Sequence, residues 1–365
     1  MPEQLRILEV VQSLEKGGRT TRFIDTVLGL REQDYFVVPL CLSTPEPWVN
    51  IQHLTVIQKT PGINWQLVFQ IRKIIKQNNI NVVHAHCEFS QLYASIAGFT
   101  CGIKTVATFH RSDLSKYQPN LVNKLIKFFA SFYIAVSHDR LTLLTNNLQL
   151  PKNKCSVVHG GAHINEKPNE DSIKSTRNKL GISDNEIALL SIGHLGAIKG
   201  HQDTLRALAR VVKNSPNIHL YIAGDGTPAE KKVLIDLATT LDINQFITFL
   251  GQINNAPNWI EACDIFIQPS IEEAFGLVFV EAGAKAKPVI ATAVGGIKEI
   301  IISSETGLLV APAAPQELEK ALALLINSTV LRVQYGDNAY KRITENFSLT
   351  NMVNKYIEIF NKVVK

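Results

Sequence analysis

The sequence has 365 residues, 45% of them hydrophobic and 19% charged, which is typical of a soluble globular protein with room for two α/β domains. The 37 Lys and Arg residues outnumber the 32 Asp and Glu residues, which gives a net charge of +5. This small positive charge suits small anionic ligands or acidic lipid, and it is too weak to indicate binding of nucleic acid. Five scattered cysteines predict reduced thiols in a cytoplasmic protein, while the polar N-terminus and the lack of a long apolar run argue against a signal peptide and a membrane span.

The first predicted strand covers residues 5–12 and leads into a glycine-bearing turn, followed by a predicted helix over residues 21–30. Gly17 and Gly18 in this turn do not form the GxGxxG pattern, so the fingerprint of a dinucleotide-binding site is absent. Two interpretations stay open: a tight turn that needs positive φ, or a loop that approaches a phosphate group.

Two histidines lie in the predicted strand over residues 81–86. His84 and His86 are two positions apart and therefore point to one face of the strand, so a metal site has to be considered. No carboxylate-rich partner set is evident nearby in the sequence. Packing at the strand end is the simpler interpretation.

A further strand, predicted over residues 104–108, ends in a cluster of polar and basic residues. His110 comes just after it, and the carboxyl ends of strands in open α/β sheets are where ligands bind. Arg111 and Lys116 follow, either as contacts to a phosphate or an acceptor, or as a solvated basic loop.

The segment over residues 120–133 predicts a helix in which Lys124 and Lys127 flank an apolar face. Such a helix can pack in the core while its lysines reach solvent, or it can rest on a membrane surface. Core packing is the preferred interpretation.

Residues 166–175 are polar and predict a linker, after which a strand over 187–192 opens a second series of βα units. The glycine-rich loop over residues 193–200 contains His194 and Lys199. A lysine on a glycine-rich loop is suited to binding phosphate.

The stretch over residues 264–300 predicts a strand, a loop, a helix near 276–285 and a second strand, which is the repeating unit of a parallel α/β sheet. Phe275, Gly276, Leu277 and Val278 would present the first free backbone N–H groups of the helix, a natural site for an anion. Glu273 precedes the helix. Glu281 lies inside it, five positions after Gly276, which is roughly 7–8 Å along the helix axis.

Several motifs together resemble glycosyltransferase family 4. The segment from Glu273 to Glu281 is similar to the family's E-x7-E motif, and Pro269-Ser270 before it fits the same pattern. The loop at 193–200 resembles the family's GRLxxxKG loop, although His194 stands where the family has arginine. The segments around His86 and His110 resemble its HaHd and tFH segments. The resemblance is specific from about residue 187 to 312 and diffuse before that.

The resemblance implies an α/β protein of GT-B architecture, with two Rossmann-like doubly wound domains facing across a cleft. It places an acceptor-side domain at residues 1–165 and a nucleotide-sugar domain at 176–349. A C-terminal helix at about 350–365 would pack back on the first domain.

The resemblance also implies residue roles. Catalytic roles fall to His110, Glu273 and Lys199, while His86, Arg111 and Lys116 are acceptor-side candidates. The implied donor-binding residues are Gly17, Gly18, His194, Phe275, Gly276, Leu277, Val278 and Glu281. No metal and no other cofactor is expected.

The implied activity is retaining, metal-independent transfer of a hexose-type sugar from a UDP- or GDP-linked donor to a hydroxyl acceptor. The acceptor would be a glycan or a lipid-linked molecule in polysaccharide, lipopolysaccharide or glycolipid synthesis, and the enzyme would be cytoplasmic, with peripheral contact at the inner membrane face left open. The alternatives are a non-catalytic relative that binds nucleotide sugar, and a GT-B nucleotide-sugar epimerase or phosphorylase.

Overall fold

The structure, a computed structural model, describes residues 4–60, 62 and 64–365. The chain forms two compact units, one made of Met1–Gly161 with Leu349–Lys365, and the other of Ala162–Ser348. Each unit has one parallel sheet with helices between successive strands. The predicted α/β class is confirmed.

The first unit has a seven-stranded sheet in the order β3-β2-β1-β4-β5-β6-β7. The strands are β1 (Arg6–Val11), β2 (Phe36–Cys41), β3 (Thr55–Val56), β4 (Val82–His86), β5 (Lys104–Phe109), β6 (Phe132–Ala135) and β7 (Cys155–Val157). The helices between them are α1 (Gly18–Glu32), α2 (Trp65–Gln77), α3 (Glu88–Thr100), α4 (Leu121–Phe129) and α5 (His138–Asn146). The strand order reverses direction between β1 and β4, which is the place where doubly wound sheets bind ligands.

The second unit has a six-stranded sheet in the order β10-β9-β8-β11-β12-β13. The strands are β8 (Ile187–Ile192), β9 (Ile218–Ala223), β10 (Ile247–Gly251), β11 (Ile265–Gln268), β12 (Val289–Thr292) and β13 (Gly307–Val310). The helices are α6 (Glu170–Leu180), α7 (His201–Val211), α8 (Pro228–Thr240), α9 (Ala256–Ala262), α10 (Leu277–Ala284), α11 (Ile297–Ile300), α12 (Pro315–Ile326) and α13 (Thr329–Asn346). The order reverses here between β8 and β11, so the loops after these two strands lie at the same edge of the sheet.

The last helix, α14 (Leu349–Val364), belongs to the first unit. Its buried residues, among them Val353 and Tyr356, share a core cluster with Phe23 and Val27 of α1. The two helices approach so closely at Gly29 that an added Cβ would lie 2.6 Å from Cγ2 of Val353. A glycine is therefore required at that crossing.

Two predicted elements differ from the structure. The polar segment 166–175, predicted as a linker, instead leads into helix α6, which is capped by Asn169. Arg177 attaches this helix to the rest of the unit by donating hydrogen bonds to the backbone oxygen of Ala262 and to the carboxylate of Asp264. The helix predicted over 120–133 ends at Phe129, because the following residues pair as β6 between β5 and β7.

Helix α4 also differs from the preferred interpretation of its packing. Asn123 and Ile126 are buried, but Leu121 and Phe128 are each 71% exposed. Its apolar face therefore extends well beyond the core. Among the described residues, none of the helices combines the length and the apolar character needed to cross a membrane.

Candidate active site

The N-terminus of α10 has the form of an anion site. Gly276 precedes it with φ of 95°, and an added Cβ would clash with the ring of Phe279, so only glycine fits this left-handed position without strain. No side chain caps the helix and its first turn contains no acidic residue. The first-turn N–H groups, which include those of Leu277 and Val278, have no acceptor inside the helix and are suited to a phosphate.

Lys199 and Glu273 form an ion pair next to this helix. The Nζ atom of Lys199 lies 2.6 Å from Oε2 of Glu273, and the two side chains are 25% and 10% exposed. The lysine comes from the loop after β8, and the glutamate comes from the loop after β11. The reversal of strand order between β8 and β11 thus brings together two residues that the sequence singled out separately.

A buried network holds the Lys199 loop against the sheet. The side chain of Gln268 donates to the backbone oxygen of Lys199 at 2.5 Å and accepts from the Ser191 hydroxyl at 2.9 Å. His201 lies 3.2 Å from the same hydroxyl, and burial lowers the pKa of His201 to about 4. The sequence analysis did not identify Ser191, His201 and Gln268. They lie within or beside the motifs, but no pattern in the sequence indicates that they support the Lys199 loop.

His194 is exposed and is oriented by two neighbours. Its Nδ1 atom accepts a hydrogen bond from the backbone N–H of Gly196 at 3.0 Å, and its Nε2 atom lies 3.8 Å from Oε2 of Glu230. An Nδ1 that accepts a hydrogen bond leaves one ring N–H, at Nε2, for a ligand. Where the family has an arginine with a fork of donors, this chain therefore offers a single one.

Glu281 lies in the second turn of α10 and is partly buried. The structure thus places Glu273 before the start of this helix and Glu281 within it. Phe275, which precedes Gly276, is buried at 5% exposure, so it contributes backbone rather than an exposed ring.

In the first unit, Gly17 and Gly18 form the exposed start of α1. Gly17 has φ of 149°, and an added Cβ there would meet no atom within 4 Å. The backbone oxygen of Gly17 accepts from the N–H groups of Thr20 and Thr21. The turn is therefore open on its outer side.

His110 stands at the end of a chain of buried histidines. Its Nε2 atom lies 2.8 Å from Nδ1 of His86, and Nε2 of His86 lies 2.9 Å from Oε2 of Glu9. The other oxygen of Glu9 lies 2.9 Å from Nδ1 of His84. His84, His86 and Glu9 are fully buried, and His110 is partly exposed. Among the described hydrogen-bond partners of His86, His110 is therefore the one through which it could act on a substrate.

Burial controls the charge of these imidazoles. It lowers the pKa of His86 to about 4 and lowers the pKa values of His84 and His110 as well, so all three are neutral at pH 7. Burial also raises the pKa of Glu9, while the hydrogen bond from His86 acts in the opposite direction. The ligand atoms of Glu9, His84 and His86 lie within 4.8 Å of one another, a spacing that a metal ion could use, but each already takes part in a hydrogen bond.

Arg111 and Lys116 have different surroundings. Arg111 donates to the backbone oxygen of Lys116 at 2.7 Å and lies 3.8 Å from Oε1 of Glu88, so it shapes the loop after β5. Burial lowers its pKa. The side chain of Lys116 is exposed.

Comparisons with known proteins agree with these features. The model of Glycosyltransferase Family 4 matches residues 16–166, and the model of Glycosyl transferases group 1 matches residues 172–342. The chain is 27% identical over 370 residues to N-acetyl-alpha-D-glucosaminyl L-malate synthase of Bacillus anthracis, covering 98% of this chain and 93% of that protein. It is 29% identical over 304 residues to D-inositol 3-phosphate glycosyltransferase of Rhodococcus erythropolis, covering 77% and 68%.

Solved structures confirm the fold. Anabaena Alr3699/HepE, in complex with UDP and glucose, superposes with a TM-score of 0.85 at 23% identity, covering 97% of this chain and 99% of that one. The two parallel sheets of this chain are thus the two Rossmann-like domains of the GT-B fold. The chain belongs to glycosyltransferase family 4, with a second half of the group 1 type, and it is a glycosyltransferase.

Proposed function

We propose that this chain is a retaining, metal-independent glycosyltransferase that moves a hexose-type sugar from a UDP- or GDP-linked donor to a hydroxyl group of a glycan or lipid-linked acceptor. The observation that carries the proposal is the Lys199–Glu273 ion pair beside the open N-terminus of α10. Cationic and N–H groups converge there, as binding of a diphosphate requires.

In the second unit, the first-turn N–H groups of α10 and the ammonium of Lys199 stabilise the charge that grows on the leaving nucleoside diphosphate. Glu273 contacts the transferred sugar and the donor phosphate region. Glu281 binds the ribose hydroxyls, and His194 adds its single N–H to the diphosphate. These groups perform the role that a metal ion has in other transferases, so no cation is required.

In the first unit, His110 binds the sugar, and the Gly17–Gly18 turn offers N–H groups to the diphosphate. The bond between the anomeric carbon and the phosphate oxygen breaks while the acceptor oxygen bonds to the same face of that carbon. The acceptor proton passes to the departing phosphate oxygen. No protein nucleophile is needed, and the anomeric configuration is retained.

The exposed face of α4 supports a lipid-linked acceptor and a cytoplasmic enzyme that touches the inner membrane face. Leu121 and Phe128 are exposed, as are Lys124 and Lys127 between them. An apolar cavity of about 350 Å³ adjoins this helix, with Trp65 and Tyr93 in its lining. Apolar side chains flanked by lysines suit an anionic lipid surface.

Co-sedimentation with vesicles tests this contact. We expect binding to vesicles that contain phosphatidylglycerol, weaker binding to pure phosphatidylcholine, and loss of binding in Leu121→Ser/Phe128→Ser. The matched control is Val330→Ser/Val333→Ser, which removes two exposed apolar side chains from α13 of the second unit. Equal binding by both double variants, or none by the wild type, would contradict the membrane contact.

The nucleotide is tested by the thermal shifts that UDP, GDP, ADP and their sugar conjugates produce, because a ligand of the native state raises Tm. A transfer assay with the best donor then follows, in which Lys199→Ala and Glu281→Ala should each raise donor KM or lower kcat at least tenfold. Wild-type kinetics in both variants would refute the site.

His194 favours a second candidate, a relative that binds nucleotide sugar without transferring it. Its single N–H binds a diphosphate more weakly than the arginine of the family would. Release of nucleoside diphosphate from a bound donor separates the two candidates, since only an active enzyme breaks the bond to the sugar.

A further inference from the structure

A continuous line of hydrogen-bonded side chains crosses the interior of the first unit and ends at His110. Its members come from α1, α14, three neighbouring strands and the residue after β5, and all but this last residue, His110, are buried. In order along the line they are Arg22, Tyr356, Thr108, His84, Glu9, His86 and His110.

The direction of the first bonds follows from Arg22. Its Nε atom donates to the Tyr356 hydroxyl at 2.8 Å. Because a guanidinium has no acceptor atom, Tyr356 accepts there and keeps its own proton, for which Thr108 is the next side-chain partner. The Thr108 hydroxyl lies 2.7 Å from Nε2 of His84 and donates to it. His84 therefore carries its proton on Nδ1 and donates to Oε1 of Glu9.

The direction of the remaining bonds depends on Glu9. An ionised carboxylate accepts at both oxygens, so His86 carries its proton on Nε2 and accepts at Nδ1. His110 must then donate from Nε2. The carboxylate form of Glu9 is favoured by the ring nitrogens of His84 and His86, which lie 2.9 Å from its two oxygens and oppose the burial that raises its pKa.

We propose that Glu9 is a positioning residue that fixes the tautomer of His110, so that His110 offers an unprotonated Nδ1 as acceptor for a hydroxyl group of the sugar substrate. The nature of that substrate rests on the proposed function, whereas the tautomer does not. His110 is partly exposed and its Nε2 is occupied by His86, so Nδ1 is the ring nitrogen left for a ligand.

Nitrogen-15 NMR of the full chain with labelled histidine rings tests the tautomers directly. Single His→Gln variants assign the resonances. At neutral pH we expect His110 and His86 to be protonated at Nε2 alone and His84 at Nδ1 alone. A proton on Nδ1 of His110, alone or together with Nε2, would overturn the proposal. This measurement uses the wild type and needs no substrate.

Glu9→Gln then tests the control that Glu9 exerts. A glutamine amide accepts through its oxygen and donates through its nitrogen. In this variant Arg22 still sets the donor–acceptor direction of the hydrogen bonds up to His84, so His84 still donates from Nδ1. The oxygen of the new amide therefore faces His84, and its nitrogen faces His86. We therefore expect the protons of His86 and His110 to move to Nδ1 while His84 is unchanged. We also expect kcat/KM for transfer to fall at least tenfold.

Tyr356→Phe is the matched control, since it alters the same interior but keeps the carboxylate. The His110 tautomer should stay as in the wild type. In Glu9→Gln/Tyr356→Phe, Arg22 no longer sets the direction of the hydrogen bonds, because the Tyr356 hydroxyl is gone. We therefore expect His110 to populate both tautomers. An unchanged His110 spectrum in Glu9→Gln would overturn the proposal, and if that variant does not fold, the wild-type spectrum decides.

The kinetic and spectroscopic results separate this inference from the proposed function. A Glu9→Gln enzyme with swapped tautomers and wild-type transfer rates would overturn the role of the tautomer in transfer. A wild type that transfers no sugar would refute the proposed function, while the spectra would still show whether Glu9 fixes His110.

Discussion

Replacing Lys199 by methionine tests the ion pair with Glu273 at the proposed donor site. Methionine keeps the length and the apolar stem but leaves the Glu273 carboxylate, 10% exposed, without the ammonium that now lies 2.6 Å away. A hydrogen bond to a charged group contributes ~1.5–3 kcal/mol. Because Lys199 is a quarter exposed, water replaces part of the loss, and we expect the free energy of unfolding of the second unit to fall by about 2 kcal/mol. In a domain of this size that lowers Tm by about 4–8 °C.

The same variant should weaken UDP binding, which the assay measures as the shift in Tm with UDP. At a concentration of 100 Kd for the wild type, the ligand stabilises by about 2.7 kcal/mol. Loss of a charge-assisted bond worth ~1.5–3 kcal/mol weakens Kd by about 10- to 100-fold. The stabilisation of Lys199→Met by the same UDP concentration then falls to roughly 0.4–1.4 kcal/mol.

Two controls make the result specific. Lys213→Met removes the same charge from an exposed position beyond the end of α7 and should behave as the wild type. The double variant Lys199→Met/Glu273→Gln also removes the charge of the carboxylate, so it should recover part of the stability without recovering UDP binding. Equal UDP shifts in wild type and Lys199→Met would refute the diphosphate site.

Three further predictions concern the second unit. Gly276→Ala should lower the free energy of unfolding by about 2–3 kcal/mol, because of the left-handed φ and the clash of the new Cβ with Phe279. Gly181→Ala, also at positive φ but with no atom within 4 Å of the new Cβ, should lower it by only about 1 kcal/mol. Equal losses in urea denaturation would show that Phe279 does not crowd position 276. His194→Arg should lower donor KM about tenfold by restoring a bidentate donor, and an unchanged or raised KM would show that residue 194 does not bind the diphosphate. His201, with a folded-state pKa of about 4 against 6.5 when exposed, contributes stability that is present above pH 6.5 and is lost as the pH falls, because the unfolded chain then binds the extra proton. We expect a loss of about 2 kcal/mol between pH 7.5 and 5, measured as the urea-denaturation difference between wild type and His201→Gln. A difference that does not change with pH would show that His201 is not held neutral.

Much of the donor side could be predicted because its signals are local. Apolar strands, a glycine before a helix and acidic residues at fixed spacing all lie within one short stretch, and the helix predicted near 276–285 forms as Leu277–Ala284. A parallel sheet also implies that the loops after neighbouring strands meet at one edge, which is how Lys199 comes to lie beside Glu273. The roles of these residues in catalysis stay predictions.

The interior of the first unit was not predictable from local patterns. Glu9 stands in an apolar run with no partner near it in sequence, and its partners His84 and His86 lie 75 and 77 positions further along the chain. Likewise, the polar composition of residues 166–175 predicts a linker, while the helix there depends on Arg177 reaching Ala262 and Asp264. In both places distant contacts outweigh the local preference.

The position of α14 in the chain determines when, during synthesis, the buried histidines of the first unit can be enclosed. All the strands of the first unit leave the ribosome early, but Tyr356, which connects Arg22 to the line that ends at His110, arrives only after the whole of Ala162–Ser348. Until then the face of the sheet that α14 covers remains open, and His84 lacks the ring that packs 4.8 Å from its own. A nascent chain therefore cannot assemble this interior, and a fragment that stops before Leu349 should retain neither the buried histidine order nor a stable first unit.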